Sequence, residues 1–175
     1  MHQNVKQFRH QKDQYMKLSP QSPIPPEQRK DFDGLQYFDY NESLALHQDV
    51  TEFVEKDEIE MQTSTGDVRP YQRWGRIEFT IEGETAALTI YSDPYHGDFF
   101  LPFKDATNGR ETYGAGRYLD NHRPGLRHLQ GDEFEIDFNY AYNPYCAYNE
   151  NYSCPLPPAE NWLKVPIRAG EKKFE

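Results

Sequence analysis

GRIEFTIEGETAALTIYSD, residues 75–93, decides the fold. Ile77, Phe79 and Ile81 alternate with Arg76, Glu78, Thr80 and Glu82. Successive side chains of a strand point to opposite faces, so this alternation predicts a half-buried strand. Glu82-Gly83-Glu84 supplies a hairpin turn, and Ala86, Leu88 and Ile90 resume the alternation on the way back. FFLPFKD puts Phe99, Leu101 and Phe103 on one face, with Pro102 marking an edge or a bulge. EFEIDFNY does the same with Phe134, Ile136 and Phe138. Weaker patterns near 35–40, 44–50, 53–63 and 67–74, and KVPIRAGE at 164–171, predict further strands. Alternation with short turns means antiparallel sheet with one wet face. Roughly seven to nine such strands predict an all-β fold, an antiparallel β-barrel or a strongly bent β-sandwich.

Residues 1–33 read differently. Val5, Phe8, Tyr15 and Leu18 fit one face of a helix. The four prolines of SPQSPIPP, residues 19–26, stop that helix and bias the chain toward an extended path. Pro26 can open one more helical turn, which Gly34 would end. The expectation is a short N-terminal helical arm over 1–33 that packs on a β-rich domain over 34–175, because Phe8, Tyr15, Ile24 and Phe32 need burial.

Charge narrows the partners. With 19 basic and 29 acidic residues the chain carries −10, and it shows no basic stripe to neutralise phosphates. Nucleic acid and anionic membrane surfaces are therefore not expected as partners. The N-terminus lacks an apolar leader, and no stretch approaches the ~20 apolar residues of a membrane span. A cytoplasmic protein with reduced cysteines is the expectation.

Two stretches carry candidate chemistry. KDATNGRETYGAGRYLDN, residues 104–121, holds three glycines and two arginines. Glycines let a backbone approach a ligand, and arginines bind carboxylates or phosphates bidentately. Arg110 and Arg117 could form an anion site, with Thr112 and Tyr113 as hydrogen-bond partners. The stretch matches neither a P-loop nor a dinucleotide fingerprint. The alternative is a turn at Asn108-Gly109, then a strand that Gly114 and Gly116 allow to bulge or turn a tight corner, with the arginines paired to some of the many surface carboxylates.

NPYCAYNENYSCPLPPAENW, residues 143–162, has no strand or helix period. Its asparagines can bond nearby main chain, its prolines lower the entropy cost of order, and its tyrosines offer apolar bodies with polar tips. That composition predicts a rigid loop packed across the sheet. Cys146 and Cys154 admit four readings: half of a zinc site, a nucleophile with a histidine partner, a disulfide, or buried small hydrophobes pinning the loop. The spacing and the expected compartment favour the last.

The C-terminal residues DFNYAYNPYCAYNENYSCPLPPAENWLKVPIRAGEK closely resemble the signature of a prokaryotic family of unknown function. Its pattern runs D-F-N-x-A-Y-N-P-x-C-A-Y, then C-P-L-P-P-x-E-N-x-L, then I-x-A-G-E. Ser22-Pro23, Phe32 to Leu35 with Tyr37-Phe38, Lys104 to Tyr113 and Gly116 to Leu119 match as well. Tyr145 stands where the pattern often has Pro. The resemblance implies no particular activity, substrate or cofactor, and no metal is expected. It does single out the same two stretches. The resulting expectation is a small-molecule site where residues 105–118 meet 137–161. Arg110 and Arg117 would hold an anionic or polar group, and Tyr113, Tyr142, Asn139 and Asn143 would orient it beside Thr112 and Cys146. A non-enzymatic structural or interaction module and a cysteine- or metal-dependent enzyme are the alternatives.

Overall fold

The computed structural model describes residues 2–174. One helix, α1 (His2–Leu18), precedes strands β1 (Ala45–Asp49), β2 (Thr51–Glu52), β3 (Glu58–Gln62), β4 (Val68–Ile81) and β5 (Glu84–Ser92). Then follow β6 (Phe99–Phe103), β7 (Arg117–Asp120), β8 (Leu126–His128) and β9 (Glu133–Asp137). All pairings between these strands are antiparallel. Six strands form one sheet in the order β2-β4-β5-β6-β7, with β3 also on β4, and β1-β9-β8 form a second. Neither closes into a barrel among the described residues.

The predicted hairpin is β4–β5. Ile77, Phe79 and Ile81 are buried while Arg76, Glu78 and Thr80 are exposed. The register runs to Ile81 opposite Glu84, so the turn is Glu82-Gly83 alone, with φ 51° and 83°. Two successive positive φ values match the right-handed twist of the flanking strands, which is why this two-residue turn suits a hairpin. Farther back, β4 carries a bulge between Arg73 and Gly75. There it changes partner, from β3 along Val68–Gln72 to β2 at Gly75–Arg76. The two sheets share one core, in which Phe79, Leu88, Phe103 and Leu119 of the larger sheet pack with Phe134 and Ile136 of the smaller.

Two predicted strands do not form. Residues 35–40 and 164–171 meet only at an isolated bridge between Tyr37 and Glu171. The second stretch bends at 164–165 and 169–170, and a side chain takes the place of a neighbouring strand: the carbonyls of Ile167, Ala169 and Glu171 all accept from the Arg117 guanidinium. Gly170, at φ +75°, then lies where a Cβ would stand 2.5 Å from the Ala141 carbonyl oxygen.

The arm also differs in its facing. Val5 and Met16 are buried, but Tyr15 and Leu18 are exposed, and PPEQRKDFDG forms turns rather than a helix. The stripe that faces inward is Val5, Arg9, Lys12, Asp13 and Met16. Arg9 donates to the carbonyls of Phe38 and Asn139, and Asp13 accepts from the Leu35 N–H at 3.0 Å. Lys12 pairs with Glu171, which is 1% exposed. The helix docks by polar as well as apolar contacts because the surface it meets presents carbonyls and a buried carboxylate. Ile24 and Phe32 are buried as expected, in a satellite cluster with Met16, Leu35 and Tyr148.

Residues 143–162 pack across the sheet. β5 and β6 pair at only two positions, Tyr91–Phe100 and Ser92–Phe99. Beyond them Asn161 bridges the gap: its Oδ1 accepts from the Thr89 N–H, and its Nδ2 donates to the carbonyls of Thr89 and Pro102, each at 2.8 Å.

Candidate functional site

The expected site residues come together in part, and most are committed to the protein itself. Arg117 has no exposed surface; besides the three carbonyls it donates to Asp105 at 2.9 Å. Thr112 is buried against the Thr107 hydroxyl at 2.8 Å. Asn139 exchanges two hydrogen bonds with the Asn41 backbone, accepting at 2.8 Å and donating at 2.9 Å. The Asn143 N–H donates to Glu171 Oε2 at 2.9 Å, and its side chain donates to the Lys172 carbonyl at 3.0 Å. Arg117 and Asn143 thus reach the same C-terminal segment. Tyr142 donates to Asp120 and accepts from Arg123. Arg110 is exposed, at the end of its turn.

Tyr113 and Cys146 meet directly: the phenol donates to the sulfur at 3.6 Å. The Cys146 thiol is pulled down to about 6, first by a hydrogen bond from the Cys154 thiol. Burial works the other way, and Tyr113 and Ser64 add further donors. Cys154 is pushed up by that same contact and by burial. Among the described residues no histidine bonds either sulfur, and no group of three or more His, Cys, Asp or Glu could hold a metal ion. Nor is any described helix long and apolar enough to cross a membrane.

An opening lies beside the Asp120–Tyr142–Arg123 contacts. A groove of about 700 Å³ runs between α1 and the three-stranded sheet. Phe8, Leu46, Leu126 and Tyr140 give it an apolar body, and Phe8 packs edge-on against Tyr140 with centroids 5.1 Å apart. Its polar groups include His47, Arg123 and Asp137. Arg123 is held by Asp120 at 2.6 Å and by the Tyr142 hydroxyl at 3.1 Å, its guanidinium 4.5 Å from the Tyr142 ring centre. A guanidinium has five N–H donors, so these contacts leave donors over.

Asp137 sits at the end of β9, where its Oδ1 accepts from the Asn139 N–H and amide at 2.9 and 2.8 Å. Burial pushes its carboxyl up, against the pull of those bonds and of Arg9. A carboxyl raised in the folded state favours the protonated form. Its cost to stability is therefore absent below the ordinary aspartate range, and grows as pH rises through the unfolded value to the folded one. Asp137→Asn keeps an acceptor for Asn139 and removes that cost. Urea denaturation should show a higher midpoint than wild type near neutral pH and the same midpoint in acid.

These lining residues were hard to find in the sequence. Asp137 lies in the DFNYAYNP motif, but Arg123 belongs to an ordinary-looking turn, NHRPG. Phe8 reads as core, and nothing in the chain links it to β9.

No curated protein matches the chain. A solution NMR structure of an uncharacterised protein from gene locus rrnAC0354 of Haloarcula marismortui is similar. It shares 37% identity over 97% of this chain and 92% of that one, with a TM-score of 0.70. The model of a family described as protein of unknown function, DUF1684, matches residues 30–172, which hold every residue of the C-terminal signature. The chain belongs to the DUF1684 family.

Proposed function

We propose that the protein binds a small organic molecule with an apolar body and an anionic head in the groove between α1 and the three-stranded sheet. The observation that carries this reading is the groove itself. Ligand sites are typically ~300–1,000 Å³, mostly apolar, with a few convergent polar groups and a perturbed titratable residue. Here the walls are Phe8, Leu46, Leu126 and Tyr140, the cation is Arg123, and the perturbed group is Asp137. The reading keeps the anionic or polar ligand expected from the sequence, and the 137–161 side of the expected junction. It moves the anchor from Arg110 and Arg117 to Arg123, because Arg117 is spent on Asp105 and three carbonyls.

The probe that tests it is 1-anilinonaphthalene-8-sulfonate, an aromatic body with a sulfonate head. Wild type should bind it saturably with a rise in fluorescence. Arg123→Gln should weaken binding about tenfold, a loss of about 1.4 kcal/mol. Ala45→Trp, which fills the groove, should abolish it. Melting curves of both variants check that they are folded. Binding that is absent in wild type, or unchanged in both variants, overturns the proposal. That result would favour a structural or interaction module, the reading to which the Arg117–Asp105 pair also lends support.

A further inference from the structure

Neither cysteine lines the groove, yet the chain holds the two sulfurs together with some care. The backbone N–H of Cys146 donates to Cys154 Sγ at 3.3 Å, so the second sulfur lies against the first residue's main chain. Cys154 is fixed from both sides by Ser64: its N–H donates to the Ser64 hydroxyl at 3.0 Å, and its carbonyl accepts the Ser64 N–H at 2.9 Å. Cys146 is fixed independently, in a single 3-10 turn over Tyr145–Ala147, and takes the Tyr113 hydroxyl at 3.6 Å. The span between them contains no strand. Joining the sulfurs therefore breaks no sheet ladder within that span. The two residues are 8% and 7% exposed.

We propose that Cys146 and Cys154 form a dithiol site that a hydroperoxide oxidises to an intramolecular disulfide. Cys146 is the attacking group. Its thiolate attacks one peroxide oxygen; the O–O bond breaks, the leaving oxygen takes a proton to give water, and Cys146 becomes a sulfenic acid. Cys154 then attacks the Cys146 sulfur, the S–O bond breaks, and the Cys154 proton leaves with the oxygen as a second water. Two thiols lose two electrons and the peroxide gains them. A dithiol reductant reverses the change by exchange at the disulfide. Tyr113 donates to the Cys146 sulfur at 3.6 Å, and together with the neighbouring Cys154 and Ser64 side chains it lowers the thiol into the range where the reactive thiolate is populated near neutral pH. Cys154, shifted the other way, suits the role of resolving thiol.

The test treats the folded full chain with stoichiometric hydrogen peroxide and reads intact mass and a peptide map. Wild type should lose the mass of two hydrogens, yield one cross-linked peptide joining Cys146 to Cys154, and return to its starting mass with dithiothreitol. Cys154→Ser should stop at a Cys146 sulfenic acid that dimedone traps. Cys146→Ser should react at least about tenfold more slowly than wild type. Should a variant fail to fold, iodoacetamide labelling of wild type decides the roles, with Cys146 expected to label at least about tenfold faster than Cys154. Oxygen gained without a cross-link, a disulfide between two chains, or equal reactivity of the two cysteines overturns the proposal.

Discussion

Arg117→Met is expected to cost more than about 4 kcal/mol, because removing one partner of a buried ion pair leaves an uncompensated charge. Asp105 would keep its carboxylate with no cation, in a site where both side chains have no exposed surface. The carbonyls of Ile167, Ala169 and Glu171 would lose their donor at the same time. Each buried acceptor left unpaired adds about 1–3 kcal/mol. The total approaches the whole stability of a small domain, about 5–15 kcal/mol, so the variant should be largely unfolded or insoluble at ordinary temperature. Arg117→Lys keeps the charge but not the fork that reaches several oxygens, and should fall between the two. Adding Asp105→Asn to Arg117→Met should restore about 1–2 kcal/mol by removing the stranded charge. Urea denaturation of the series measures all three. An Arg117→Met protein within about 0.5 kcal/mol of wild type would show that the guanidinium is not a strut. The sequence-based reading of Arg117 as a ligand anchor would then return.

Glu171→Ala should be nearly as damaging and should be visible in a particular place. Glu171 takes Lys12 on one oxygen and, on the other, the Asn143 N–H at 2.9 Å and the Tyr148 hydroxyl at 2.6 Å. Without it two buried donors and one ammonium lose their acceptor, a loss of about 3–5 kcal/mol. Lys12, Arg9 and Asp13 are the helix's polar holds, and in this variant Lys12 loses its partner while Arg9 and Asp13 keep theirs. Hydrogen exchange across residues 2–18 should therefore quicken far more than exchange in β4 and β5. Equal acceleration everywhere would mean that the carboxylate supports the whole fold and not the docking of α1.

The parts of the fold that could be read in advance are those whose causes are local. Alternation at Ile77, Phe79 and Ile81 and the glycine at 83 lie within one hairpin, and no distant residue is needed to interpret them. KVPIRAGE shows the limit of that logic. Its pattern reads as a strand, but that pattern cannot tell whether the neighbour is another strand or a guanidinium arriving from residue 117. The helix misled for a related reason. Tyr15 and Leu18 are the more apolar choice, but a buried carboxylate at 171 rewards Lys12. Gly116 and Arg117 were recognisable as unusual, and so was the tyrosine- and asparagine-rich loop. The groove was not, since it joins α1, β1, the β7–β8 turn and β9, segments whose only link is the folded chain.

The Lys12–Glu171 pair joins residues 159 positions apart. A ribosome makes the lysine first and the glutamate only after every strand has been synthesised. A lone helix of this length is marginal in water, so α1 has little reason to persist before its partner exists. At roughly 5–20 residues per second that wait lasts on the order of ten seconds. During it the floor of the groove can form, but its helical wall cannot. Docking of α1 thus becomes a late step that reports, in one contact, that the chain has been made nearly to its last described residue.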